Sequence, residues 1–157
     1  MATRTPWDPV TGDVMTEARL DTLARGWLGY VEVTANQSVV GSGTETDITS
    51  LTVTLTVQAD RKLRITGHGI FSRSVADGVT LARIKEGSTE LGRFCQHAPS
   101  ATSEFDCAEG SIVVAPSAGS HTYKLTMQRF SGTGNITLNA AAGSAAFILV
   151  EDIGSAS

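Results

Sequence analysis

The densest set of side chains able to do chemistry lies between positions 95 and 107: Cys95, His97, Glu104, Asp106 and Cys107. Thiolate, imidazole and carboxylate are all metal donors, but a structural zinc site uses four of them, typically two close-set cysteines matched by a second close-set pair. That pairing is missing, so the segment reads as an acidic, solvated loop, and no metal is expected. Cys95 and Cys107 flank a polar, turn-prone stretch, residues 98–110, with Pro99 near its start. If this stretch closes a hairpin the two thiols approach, and a disulfide across it would add about 3 kcal/mol in the chain-entropy model. A cytoplasmic origin keeps thiols reduced, whereas a particle released into an oxidising medium does not. On the sequence, both a disulfide and two free thiols stay open.

The remaining reactive types are isolated. His68 sits between Gly67 and Gly69 with no acid nearby in sequence, and His121 lies inside an alternating run, so both read as packing or hydrogen-bonding residues. The serines form no nucleophile elbow, and no phosphate-binding glycine loop with a lysine is present. The chain is therefore not expected to be an enzyme or to carry a cofactor. A net charge of −4 with scattered Arg and Lys gives no footprint for a phosphate backbone, so nucleic acid is not an expected partner. Sugar platforms need exposed aromatic side chains, and after Tyr30 there is no Trp, only Phe71, Phe94, Phe105, Tyr123, Phe130 and Phe147.

The elements that would hold these residues are strands. Residues 51–57 alternate without a break, Leu51, Val53, Leu55 and Val57 on one face and Thr52, Thr54 and Thr56 on the other, the signature of a half-buried strand. The threonine face is open to two readings, solvent or a neighbouring subunit. Leu63, Ile65, Gly67, Gly69 and Phe71 share one face of a long strand, where the glycines imply a bulge or a close approach by another backbone. Residues 79–85 and 90–97 form a hairpin around Gly87, residues 111–115 and 121–128 are further strands, and residues 131–134 are a tight turn. Residues 36–43 read as a loop or irregular edge. The continuous apolar run 147–150 suits a strand buried on both faces. Some eight short strands separated by glycine turns point to an all-β sandwich over residues 29–157, and 157 residues suffice for one domain with its own core.

Residues 1–28 differ. Pro6, Trp7 and Pro9 among polar neighbours make an arm, followed by a short helix from the Thr16 cap to Arg25, with Leu20, Leu23, Ala24 and Trp27 along one face and Gly26 as its stop. So short a helix must be packed to exist, either on its own sandwich or on a partner. Pro6, Trp7, Leu20, Leu23 and Trp27 are the expected anchoring residues, since buried aromatic and aliphatic side chains dominate such contacts. The N-terminus lacks the apolar core of a signal peptide and no apolar run approaches the roughly 18 residues of a membrane helix, so the chain is expected to be made in the cytoplasm and to need no membrane.

Two stretches together resemble virion structural proteins of tailed bacteriophages, especially those of actinobacterial hosts. One is Trp7 with Gly12-Asp-Val-Met-Thr-Glu-Ala-Arg-Leu20, leading into Gly26-Trp-Leu-Gly-Tyr30, which is similar to the attachment segment near the start of many small phage fibre, tail and head-surface proteins. The other is Ala118-Gly-Ser-His-Thr-Tyr-Lys-Leu125 with Gly132-Thr-Gly134 and the closing Ala146-Phe-Ile-Leu-Val-Glu-Asp-Ile153, which resembles the end of trimeric jelly-roll domains of the tumour-necrosis-factor shape. The resemblance implies a jelly roll assembled as a homotrimer in the virion. It implies a capsid decoration or head-surface protein that binds the major capsid protein, with a minor tail or tail-fibre protein that contacts other tail proteins and presents a receptor- or glycan-binding sandwich as the alternative. The lack of a repeat or coiled-coil shaft favours the head.

Overall fold

The structure, a computed structural model, describes residues 26–39 and 43–156. Pro6, Trp7, Leu20, Leu23 and the expected helix of residues 16–25 lie outside the described residues. Ten strands make up the rest: β1 Gly26–Val33, β2 Gln37–Val39, β3 Thr46–Val57, β4 Arg61–Arg73, β5 Thr80–Glu86, β6 Thr89–His97, β7 Phe105–Val114, β8 Gly119–Arg129, β9 Ile136–Asn139 and β10 Ala146–Ser155. They form a six-stranded sheet and a four-stranded sheet of order β3-β8-β5-β6. In the first, β4 is the axis. One of its edges pairs with β7, and the other is shared end to end by β10, along residues 61–68, and β9, along residues 70–73. β1 and β2 flank β10 and β9 in turn. Every pairing is antiparallel, and the orders β1-β10-β4-β7 and β3-β8-β5-β6 give a jelly-roll-like β-sandwich.

Side-chain alternation builds the core. Leu51, Val53 and Val57 of β3 are buried and Leu55 is half-buried, while Thr52, Thr54 and Thr56 stand outside. Upstream the period breaks: Thr49 and Ser50 are both exposed, and Ser50 takes a left-handed φ of 67° at a bulge that lets Ile48 rejoin the core. The larger sheet adds Leu63, Ile65 and Phe71 of β4 and Ile148 and Val150 of β10 to this core, and beside β3 in its own sheet β8 adds Tyr123, Leu125 and Met127. Gly67 marks no bulge, because β4 keeps register with both neighbours there. A Cβ at this position would lie 3.0 Å from Leu125 and 3.1 Å from Phe94, so the glycine makes room for side chains of the opposite sheet rather than for a backbone.

Buried charge is confined to staples between elements. Arg61 at the start of β4 donates to Asp152 of β10 through Nε at 2.9 Å and Nη2 at 2.6 Å, both side chains out of water. Arg73 at the other end of β4 reaches the 131–134 segment, donating to Ser131 O at 3.2 Å and Thr133 O at 2.5 Å and pairing with Asp77. Asp77 in turn accepts from Thr133 N and Oγ1, both at 2.8 Å, and these two bonds hold its carboxyl below the usual range. The 131–134 segment, expected as a tight turn, carries the chain from one sheet to the other, and it is this double clasp that fixes the crossing.

Three expectations need correction and one open reading closes. Trp27 lies on β1, paired with Glu151, and not on a helix face with Leu20, Leu23 and Ala24: from Gly26 on the chain is extended and paired with β10. Of the two readings of residues 36–43, loop or irregular edge, the edge holds where the chain is described: residues 37–39 are an edge strand paired with β9, and Gln37 ties it to β3 by donating to Asp47 O and accepting from Thr49 N. The loop expected at 98–110 ends by Glu104, since β7 starts at Phe105. Strand β10 is buried on one face only, with Ala146, Ile148, Val150 and Asp152 inside and Phe147, Leu149 and Glu151 half-exposed on the outer surface.

Candidate functional site

Those outward residues of β10 belong to the feature that separates this sandwich from an ordinary solvated one. Pairing registers set three rows across the outer face of the larger sheet: Glu32, Phe147, His68 and Glu109; then Tyr30, Leu149, Thr66 and Ser111; then Trp27, Glu151, Arg64 and Val113. Trp27 is 68% exposed, Val113 56% and Tyr30 42%. An aromatic line runs diagonally through the rows, with centroid separations of 5.8 Å from Trp27 to Tyr30, 5.6 Å from Tyr30 to Phe147 and 5.0 Å from Phe147 to His68. The first and last pairs are near-parallel, so neighbouring rings pack on one another.

Polar groups rim this surface and are paired with each other. Tyr30 Oη donates to Glu32 Oε2 at 2.6 Å, and that bond raises the phenol's pKa and keeps it neutral. Glu109 lies 3.5 Å from His68 Nδ1, and Arg64 pairs with Glu151 at 3.9 Å. Toward the far end of β4 the face continues over Ile70 to Phe105, 64% exposed, beside an open groove of about 300 Å³ lined by Asn36, Ile70, Asn139, Ala140, Ala141 and Ser144 as well.

The outer face of the smaller sheet is the opposite in character. Its threonines pair with polar partners, Thr54 Oγ1 lying 2.9 Å from Thr122 Oγ1, and Lys124 reaches Asp47 at 2.8 Å. Glu45 collects Lys85 at 2.6 Å, Thr126 at 2.6 Å and Arg83 at 3.4 Å. Each of these charges has a neighbour of opposite sign or a hydroxyl; Arg83 and Thr126 are buried, and it is the β3 edge, with Thr52, Thr54 and Thr56, that is open to water.

The sequence-singled set at 95–107 is brought together without forming a metal centre. Cys95 Sγ donates to Asp106 Oδ2 at 3.3 Å, and His97 lies 3.7 Å from Asp106 and 4.0 Å from Glu104. Glu104 is committed to the backbone, accepting from Ser100 N, Ser100 Oγ and Ala101 N, bonds that hold its carboxyl below the usual range. No group of three or more donors among the described residues has metal-binding geometry. Both thiols are free, and strand parity is the reason. Cys95 turns inward from β6, while Cys107 on β7 lies on the outer face opposite Ile70, so Asp106, one residue earlier, is what meets Cys95. Burial, and then the Asp106 carboxylate, push the Cys95 thiol far up and leave it an inert neutral donor. Intact mass should be the same with and without reductant; a gain of two hydrogens on reduction would restore the bonded reading.

No protein-family model matches this chain, and no curated protein matches it. Among solved structures it is similar to dimeric latent PorU from Porphyromonas gingivalis, with a TM-score of 0.44 and 11% identity over 84% of this chain and 13% of that one. It is also similar to the infectious bursal disease virus VP2 subviral particle, with a TM-score of 0.42 and 10% identity over 84% of this chain and 39% of that one. The Gt strain of the same virus gives a TM-score of 0.38 and 13% identity over 84% and 39%. The chain thus spans well under two thirds of the proteins it is similar to.

Proposed function

We propose that this chain is a structural subunit of a bacteriophage virion, a tumour-necrosis-factor-like jelly roll that assembles as a homotrimer and decorates the capsid surface. The observation that carries the reading is the outer face of the larger sheet: Trp27, Tyr30, Phe147 and Leu149 form an apolar run across β1 and β10, and Val113 is exposed farther along the same face, beyond the Glu151–Arg64 pair. Apolar patches of this kind on a folded domain mark contact with another protein. Copies of the chain are the partners that the sequence resemblance to trimeric phage jelly rolls implies. The threonine stripe, on the opposite side of the sandwich, is assigned to solvent. In this arrangement Trp27 belongs to the contact between subunits, and Pro6, Trp7, Leu20 and Leu23 are left to grip the shell, whose stability rises by the free energy of a protein that binds only its assembled form.

The alternative, a tail protein presenting a glycan-binding surface, needs aromatic faces open for sugar rings. The lack of a repeat or coiled-coil shaft in the sequence favours the capsid placement instead. Native mass spectrometry of the full chain should give the mass of three copies. A monomer at micromolar concentration would overturn the trimer, and labelled chain found only at the tail of intact particles by electron microscopy would overturn the capsid placement.

A further inference from the structure

At the end of the sandwich that carries the β5–β6 hairpin and the β7–β8 connection, one side chain bridges two elements in a way that only one of its protonation states satisfies. His121, two residues into β8, has Nδ1 2.6 Å from Glu86 Oε1 and Nε2 2.8 Å from Ser117 O. Glu86 ends β5, and Ser117 belongs to the connection between β7 and β8. Both opposing atoms are acceptors: a carboxylate oxygen, and a carbonyl oxygen that has no hydrogen in any state. A neutral imidazole carries one N–H and one lone pair, so it faces one of them lone pair to lone pair; the imidazolium donates to both.

We propose that His121 is an acid-set latch: with hydrogen on both ring nitrogens it ties the 115–118 connection to the end of β5, and loss of one proton frees that connection while the Glu86 contact stays. The order of release follows from the two partners. A charge-assisted bond to a carboxylate is the stronger of the two, so the remaining proton stays on Nδ1 and the Nε2 lone pair is left against Ser117 O. The groups facing the ring are few. From β5 comes Glu86, and from β8 itself Tyr123, whose ring stacks on His121 at 6.1 Å and whose phenol is pushed up to about 12 by burial and then by Glu86. The pairing partner on β3 is Leu55. Lys85 and Lys124 are turned to the outer face, engaged with Glu45 and Asp47. Among the described residues Glu86 is therefore the one anion acting on the ring. Its hydrogen bond raises the histidine above its usual value against the opposing effect of burial. With the folded value raised, the stabilisation is complete below the unfolded value of 6.5 and is lost as pH rises through the folded value.

The latch is tested on the full chain by two measurements across pH 5 to 9. Long-range proton–nitrogen NMR should show both His121 nitrogens protonated at low pH and, on titration, Nε2 losing its hydrogen. Amide hydrogen exchange over residues 115–119, corrected for intrinsic rates, should rise about five- to tenfold through the same midpoint, the effect of one lost hydrogen bond. Glu86→Gln should move both midpoints down together, and His121→Gln should abolish the exchange step. A ring that holds a single hydrogen at pH 5, an exchange step that persists in His121→Gln, or midpoints that separate in Glu86→Gln would each overturn the latch.

Discussion

Asp152→Ala should cost about 3–5 kcal/mol of folding stability, the usual penalty for removing one partner of a buried, hydrogen-bonded ion pair. The carboxylate takes both Nε and Nη2 of Arg61 and also accepts from Gly154 N at 3.0 Å, so it ties the start of β4 to the end of β10 while shaping the bulge that follows. Without it the buried guanidinium loses both of these charge-assisted bonds. For a chain of this size the loss should lower the melting temperature by roughly 6–20 °C, read by calorimetry or by denaturant titration. The sign reverses for the pair: Arg61→Met with Asp152→Leu removes both charges and should come back to within about 1–2 kcal/mol of the parent, because well-packed apolar residues replace a buried pair at little net cost. An Asp152→Ala protein as stable as its parent would show that water reaches the pair.

The second large effect concerns assembly rather than folding. Val113→Arg and Tyr30→Glu each place a charge on the outer face of the larger sheet, the second beside the like charge of Glu32, where both native side chains are exposed enough for the isolated subunit to tolerate the change. In the proposed interface the same charge is buried without a partner and costs about 2–5 kcal/mol, a weakening of roughly thirty- to several-thousandfold. Either variant should sediment as a folded monomer at concentrations where the parent gives the proposed trimer. Thr54→Arg on the threonine stripe is the matched control and should leave the oligomer intact. Dissociation by Thr54→Arg with survival of Val113→Arg would move the interface to the smaller sheet.

How legible all this was in the sequence depended on whether a signal was local. The β3 stripe and the Glu86–Thr89 hairpin were legible, because strand period and turn chemistry act within a few residues. Phe105-Asp-Cys-Ala-Glu-Gly110 was read as loop because its inward positions are Asp106, Ala108 and Gly110, small or polar residues that give no apolar alternation. The cysteine question turned on parity, since shifting a strand by one residue exchanges its faces, and the sequence did not reveal where β7 begins. Trp27 stands at helical spacing from Leu20, Leu23 and Ala24, yet it lies past the Gly26 stop and pairs within β1. The aromatic line was out of reach altogether: Tyr30, His68 and Phe147 come from three distant parts of the chain, and only the pairing of β1, β10 and β4 makes them neighbours.

The place of β10 between β1 and β4 has a consequence for how the protein is made. Translation delivers β1 and β4 early, yet the strand that joins them is residues 146–155, so the larger sheet stays divided until those residues have left the ribosome. Through that interval the facing edges of β1 and β4 are unpaired, and their backbone groups are open to another nascent chain. Closure then requires contacts between segments more than a hundred residues apart, as in Gly26 with Asp152, which belong to the slow, non-local class of folding events. On a polysome, where copies of the same strands wait side by side, yield depends on how quickly this late-made strand finds its place between β1 and β4 of its own sheet.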